Sequence, residues 1–345
     1  MLASPTNNIF ISPKVKRFFG NWQNTHYLYA AMDKVSIIIP VYNRADLVSR
    51  TLNSVLQQTH RPLQLVLVDN GSTDNTLVVL NQFKIDHAAP DFEVVVASEP
   101  TRGACAARNC GLAKASAPWV MFFDSDDTMD KHLVERYVAK IKSCDGNLDM
   151  VVTRRCLIDE NGKKAVKPYF KSDIFANHIL HCFLATQSYI VRRDFFAKAG
   201  GWNTDLPVWN DWELAFRLLL QQPRMAYLKS KPLVFVNSTG RASITGTCFH
   251  EKAGLWERSI DTIIGLITNS ELKHKKRYLR LLNYRRLVLA AQYEREGHRE
   301  LAKPLAAKGY KGFKHHPFKK LIMKRLYYRI ASGRRGSARI ARHVC

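Results

Sequence analysis

Trp119-Val-Met-Phe-Phe-Asp-Ser-Asp-Asp127 is an apolar run that ends in three carboxylates within four residues. A buried strand that delivers Asp124, Asp126 and Asp127 together creates a charge problem, because packed carboxylates repel one another and lose hydration. A divalent cation resolves it, and hard oxygen donors point to Mg or Mn. An EF-hand loop is excluded, since its sixth position needs Gly and Met129 stands there. The structural alternative is an acidic turn in which Asp127 or Thr128 caps a helix over Lys131 to Lys142.

Upstream, Val35-Ser-Ile-Ile-Ile-Pro-Val41 is too uniformly apolar for a half-exposed strand and reads as a parallel strand covered on both faces. Leu63 to Val68 and Glu93 to Ala97 repeat the pattern. Between them lie three helices: one capped by Asn43 and running to Gln58, one from the turn Asp69–Asp74 to Phe83, and one from Gly103 through Lys114. Four strands alternating with three helices specify an open, mostly parallel α/β sheet, whose ligands bind beyond the carboxyl ends of the strands. Pro40, Tyr42, Asn43, Asp69 and Asp124 should therefore meet at one rim. No G-x-G-x-x-G opens the first helix and no Walker A loop is present, which disfavours dinucleotide and P-loop sites.

A length of 345 residues suggests roughly two domains, and no apolar run reaches the ~18 residues of a membrane span. The seven cysteines are scattered without C-x-x-C spacing and read as reduced thiols in a cytosol. Net charge is +24, of which residues 271–345 hold +18, from 22 Lys plus Arg against 4 Glu. Such a tail attracts phosphates on anionic lipid, nucleic acid or an acidic acceptor.

With these pieces in order, the chain resembles the family 2 glycosyltransferases of the GT-A fold from about Val35 to Ser243. The resemblance is carried by Ile-Ile-Pro-Val-Tyr-Asn (38–43), Val-Asp-Asn-Gly-Ser-Thr-Asp (68–74), Ala-Ala-Arg-Asn-Cys-Gly (106–111), Asp-Ser-Asp-Asp (124–127), Gly-Gly-Trp (200–202) and Asp-Trp-Glu-Leu (211–214). It implies that Pro40, Tyr42, Asn43 and Asp69 hold the nucleotide of a UDP-sugar donor. Arg108 and Asn109 would meet its diphosphate at a helix N-terminus, a setting that favours anions. Asp124 would face the ribose and Asp126 would reach a Mn or Mg ion, while Asp127 would share that ion, touch the donor sugar or only cap the next helix. The structural alternatives are a strand end and helix cap for Pro40 and Asn43, an Asx turn for Asp69, and a surface salt bridge for Arg108.

In the second half, 150–158 reads as a strand, 159–162 as a turn and 163–167 as the return strand, where acceptors dock in such enzymes. Gln187 to Val191 is another strand, Gly200-Gly201-Trp202 a tight bend, and a helix starts at Asp211. Asp211 is the general base, kept ionised by the helix dipole, with Glu213 the weaker candidate; Asn210 replaces the acid many relatives carry there. Trp209 and Trp212 stack on a sugar or fill the core. Arg241 and His250 are weaker candidates for phosphate contact.

The resulting expectation is a peripheral extension (1–31), a GT-A domain (32–245) with a nucleotide half (32–130) and an acceptor half (131–245), and a basic helical region (246–345). The enzyme would be an inverting, metal-assisted hexosyltransferase acting on a glycan or lipid-linked hydroxyl. Its setting is cytoplasmic, on the inner face of the cell membrane, with 271–345 against anionic lipid and nucleic acid disfavoured as partner. A sugar-1-phosphate nucleotidyltransferase is disfavoured because no basic Gly-rich loop follows the first strand. The alternative from another class is a noncatalytic glycan- or nucleic-acid-binding protein on the same scaffold.

Overall fold

The computed structural model of the chain describes residues 33–237 and 248–345. The extension expected at 1–31 and the candidate Arg241 lie outside the described residues. The alternation is observed as β1 (Val35–Val41), α1 (Val48–Leu56), β2 (Leu63–Asp69), α2 (Thr76–His87), β3 (Phe92–Ser98), α3 (Ala104–Lys114) and β4 (Trp119–Phe122). β1 and β2 are buried along their whole length, as strands covered on both faces must be. These strands lie in the order β4-β1-β2-β3, all parallel. The chain steps outward from β1 to β3 and then returns to the far side of β1. That reversal leaves a crevice at the carboxyl ends of β1 and β4. α3 presses on the sheet at Gly111, where a Cβ would stand 2.4 Å from Ile38 Cγ2.

Then follow β5 (Thr128–Met129), α4 (Leu133–Lys142), β6 (Met150–Val152), β7 (Arg155–Ile158), β8 (Lys164–Lys167), α5 (Ile174–His181), β9 (Tyr189–Arg192), α6 (Arg193–Lys198), α7 (Asn210–Leu220), β10 (Met225–Tyr227) and β11 (Val234–Asn237). β9 pairs antiparallel to both β4 and β6, completing a seven-stranded sheet of order β10-β6-β9-β4-β1-β2-β3. Because β9 runs backwards, its amino-terminal end reaches the same rim as the carboxyl end of β4.

Three sequence expectations change. The run 150–158 is two strands, since the chain leaves the main sheet after Val152 and β7 enters a second sheet of order β5-β11-β7-β8. At the switch, Thr153 N–H still donates to Ser188 O (2.8 Å), while the Arg154 side chain turns to Ser230 O. Asp127 and Thr128 do not cap a helix, because Thr128–Met129 pair with β11 and α4 begins only at Leu133, after Asp130 accepts the His132 N–H. Asn43 does not cap α1 either. It sits at φ 49° and a turn over Arg44 to Leu47 separates it from the helix.

The basic region is helical: α8 (Ala253–Thr268), α9 (Lys275–Arg295), α10 (Arg299–Lys311), α11 (Pro317–Ala331) and α12 (Ser337–Val344). Its core is continuous with the acceptor half, as Ile179, Trp212 and Phe216 pack in one cluster with Trp256, Ile263, Leu281, Tyr293, Phe313 and Leu326. Among the described residues no helix is long and apolar enough to cross a membrane.

Candidate active site

The rim is held together by polar side chains that cross from loop to loop. Asp69, at the end of β2, is 4% exposed and accepts the Ser72 N–H, so it does make the Asx turn. Asn43 clasps that turn from the β1 side: its Oδ1 accepts the Thr73 N–H at 2.8 Å and its own N–H donates to Ser72 Oγ. Pro40 lies inside β1 opposite Val68, and Tyr42 stands 43% exposed with the Arg102 guanidinium 4.4 Å above its ring. An exposed ring backed by a cation, beside a buried carboxylate, is a surface on which a flat heterocycle can stack. Asn70, which the sequence reading passed over, donates to Glu99 O and Thr101 O and accepts the Gly103 N–H that opens α3.

Arg108 is 5% exposed and turned inward rather than forming a surface pair. Its Nη2 donates to Asp124 Oδ1 at 2.7 Å, its Nη1 reaches Asn210 Oδ1 at 3.5 Å, and its guanidinium lies 4.4 Å over Trp202. One buried side chain thus ties the end of β4 to the first turn of α7. Asn109, expected on the same diphosphate, is a clamp instead: its amide donates to Trp202 O and accepts the Trp202 N–H, both at 2.8 Å. Gly201 is required there, since it sits at φ 67° and a Cβ would meet Asn109 Oδ1 at 2.8 Å.

The three carboxylates have different surroundings. Gln187, just before β9, donates to both Asp124 Oδ2 and Asp127 Oδ2 at 2.5 Å, and the Asn237 N–H donates to Asp127 Oδ1 at 2.9 Å. Burial, then the charges of Asp124 and Asp126, push the Asp127 carboxyl up to about 8. Asp126 is raised as well, chiefly by burial and then by Asp124, and its backbone carbonyl accepts from Arg50. Carboxylates this reluctant to ionise side by side make a setting that a cation would relieve, although both Asp127 oxygens are already engaged by Gln187 and Asn237. Among the described residues, no group of three or more His, Cys, Asp and Glu side chains is already arranged as a metal cage.

Asp211 occupies the second position of α7 and accepts the N–H of Trp212 at 2.8 Å. Burial raises its carboxyl above the usual range, against the pull of Arg155 and then Arg108. The helix dipole therefore does not dominate, contrary to the sequence expectation of a readily ionised acid. Glu213 is 1% exposed and held by Arg217 through two bonds of 2.7 and 2.8 Å, which commits it to structure. Trp212 is buried and donates to His178 O, while Trp209 is half-buried and packs on Trp212 and Trp256 at the edge of the core. His250 pairs with Glu296 at 3.0 Å and stacks on His298, within the helical region. Gln187 was missed because nothing in its local sequence marks it. Only the reversed direction of β9 brings it to the rim.

Comparison with known proteins agrees with this architecture. The profile described as glycosyl transferase family 2 matches residues 36–199. An uncharacterized glycosyltransferase of Nostoc is 33% identical over 189 residues, covering 52% of this chain and 56% of the relative. A putative teichuronic acid biosynthesis glycosyltransferase of Bacillus subtilis is 36% identical over 129 residues, covering 37% of this chain and 46% of the relative. The chain thus matches about half the length of these two relatives. Among solved structures, S. aureus TarS in complex with UDP-GlcNAc superposes with a TM-score of 0.68 at 18% identity, covering 90% of each chain.

Proposed function

Residues 36–199 of this chain belong to glycosyl transferase family 2, on a GT-A fold, and from that premise we propose an inverting hexosyl transfer from a UDP-sugar to an acceptor hydroxyl. The observation that carries the reading is the Arg108 bridge, which joins Asp124 at the end of β4 to Asn210, the neighbour of Asp211. A donor at the rim and a base at the start of α7 are then within one side chain of each other. Single displacement needs that juxtaposition, because the base must face the anomeric carbon from the side opposite the leaving group.

In this reading Asp69 accepts from the base of the nucleotide, Tyr42 stacks on it, and Asn43 keeps the 69–74 turn in place. Arg108 exchanges part of its bond to Asp124 for the diphosphate. Asp211 removes the proton of the attacking hydroxyl, and a carboxyl raised by burial is better matched to that task than an ordinary one. A Mn or Mg ion on Asp126 and Asp127 would neutralise the charge developing on the leaving nucleoside diphosphate. Support for a UDP-sugar comes from TarS, which was solved with UDP-GlcNAc on the same fold. Calorimetry with UDP, GDP and their sugars tests the donor; tighter binding of GDP than UDP would overturn that part.

A glycan acceptor close to a cell membrane is supported by α11. Phe318, Leu321 and Tyr328 are 82, 51 and 67% exposed on one face of this helix, beside the exposed Lys324, Arg325 and Arg329, and no acidic residue follows Glu300. Aromatic rings among long cations suit the headgroup layer of an anionic bilayer. Truncating the tail is a poor test, because Phe313, Met323 and Leu326 are core residues. Replacing Phe318, Leu321 and Tyr328 together by Ser should instead weaken binding to anionic vesicles, and binding to such vesicles that ignores both this variant and added salt would remove the membrane reading.

A further inference from the structure

We propose that Arg155 and Arg285 form an oxyanion-binding subsite on the acceptor side of Asp211, so that the acceptor presents a phosphate or carboxylate group there; the proposal rests on the glycosyl-transfer reading above. Arg155 stands at the start of β7 and donates through Nη2 to Cys182 O, at the end of α5, at 3.0 Å. Arg285 comes from α9 and lies over the rings of Trp209 and Trp212, at 5.3 and 5.4 Å. Trp209 and Trp212 flank Asp211 in sequence, and α5 is fastened to the same turn, since His178 Nε2 contacts Trp212 O at 3.1 Å. Two guanidinium groups therefore approach the first turn of α7 from a strand and from a distant helix.

What the two share is the absence of a carboxylate at ion-pair distance, although Arg155 is the foremost positive charge acting on Asp211. Neighbouring arginines are matched: Arg217 with Glu213, Arg277 with Asp173 and Arg286 with Asp261. Among the described residues, Arg155 and Arg285 have no carboxylate within ion-pair distance, and the Nε of each is buried without a hydrogen-bond partner. The contact of Arg285 with two indole faces restores only part of the hydration a guanidinium loses on burial, and a planar fork with free donors is the group that binds an oxyanion in two-point fashion. Arg155, Cys182, Asp211 and Arg285 are each half-buried, with part of their surface open. The direction of charge supports the assignment. The donor side of the cleft is rich in carboxylates, whereas the charges acting on Cys182 are Asp211 and then Arg155 and Arg285, and those on His181 are Arg342, Arg285 and Lys167. An acceptor with an anionic group is drawn to that end, and its hydroxyl then lies towards Asp211 and the rim.

The test uses the full chain saturated with UDP, so that the donor rim is occupied. Three probes are titrated: a short polyol phosphodiester, an oligouronate and a neutral oligosaccharide of equal length. The wild type should bind one anionic probe at least tenfold more tightly than the neutral one, and which of the two it prefers separates phosphate from carboxylate. Arg285→Gln and Arg155→Gln should each remove most of that preference, Arg285→Lys should keep part of it, and UDP affinity reports that each variant is folded. Equal binding of charged and neutral probes, or a preference untouched by both Gln variants while UDP still binds, would overturn the subsite alone. Failure of the wild type to bind UDP, GDP or their sugars would overturn the glycosyl-transfer reading, and the subsite with it.

Discussion

The two sides of the cleft are assembled by opposite means. On the donor side, the groups at the ends of β1 and β2 have their partners on adjacent loops: Asn43 with Thr73, Asp69 with Ser72, Asn70 with Gly103. On the acceptor side, the groups around Asp211 come from α5, α7, β7 and α9, separated by up to 130 residues, as from Arg155 to Arg285. The turns at the ends of β1 and β2 are joined loop to loop; the surroundings of Asp211 are long-range and basic. The difference teaches that a parallel α/β sheet prepares a ligand site by topology alone, whereas the surroundings of Asp211 are complete only after a helical region has packed against them.

If the donor side works through its carboxylates, the largest effect belongs to Asp126→Ala, which should reduce turnover to background with or without added Mn or Mg while the melting temperature holds. Full turnover of that variant, or of the wild type in excess chelator, would break the metal assignment. The acceptor side has its own structural anchor in the buried Glu213–Arg217 pair. Breaking one partner of a buried pair costs about 3–5 kcal/mol, so Arg217→Met should lower the denaturant midpoint strongly, and a loss under ~1 kcal/mol would show that Glu213 is free for chemistry after all.

Asp211→Asn sharpens the division further. It should lower turnover by about 10²-fold or more with UDP affinity nearly unchanged, because Asn accepts no proton. Since burial raises the Asp211 carboxyl and the base must be ionised, turnover of the wild type should rise with pH through a limb above the ordinary carboxylate range. A parallel loss of UDP binding in the variant would make Asp211 a structural residue.

The smallest effect concerns His178, which is fully buried and kept neutral, its imidazole lowered to about 3 by burial. A depressed imidazole contributes stability that is present above the unfolded value and lost as pH falls below it. The protein should therefore lose about 2 kcal/mol between pH 7 and pH 5 through this group. Stability followed by urea titration at several pH values checks it, and His178→Gln should flatten that limb. An unchanged slope would mean that the contact between α5 and α7 opens in acid at no cost.

How far the sequence could be read follows the same division. The largely apolar runs of β1 and β2, the alternation with helices and the placement of Asp69 and Asp124 at strand ends were legible, because a doubly covered parallel strand leaves a pattern in its own residues. The fate of 150–158 was not, since nothing in one apolar run says that it serves two sheets. Asn109 carried the expected type and place but clamps Trp202, and Asn43 clasps a turn rather than a helix.

By itself, then, the sequence determined the sheet, the rim and the acidic cluster, because backbone periodicity and strand ends are local properties of the chain. Only the tertiary structure decided that Gln187 bridges two of the carboxylates, that Arg108 spans from Asp124 to Asn210, and that Arg155 and Arg285 stand unmatched beside Asp211. Those relations depend on strand direction and on helix packing, which set distances between residues far apart in the chain, and no local pattern encodes a distance.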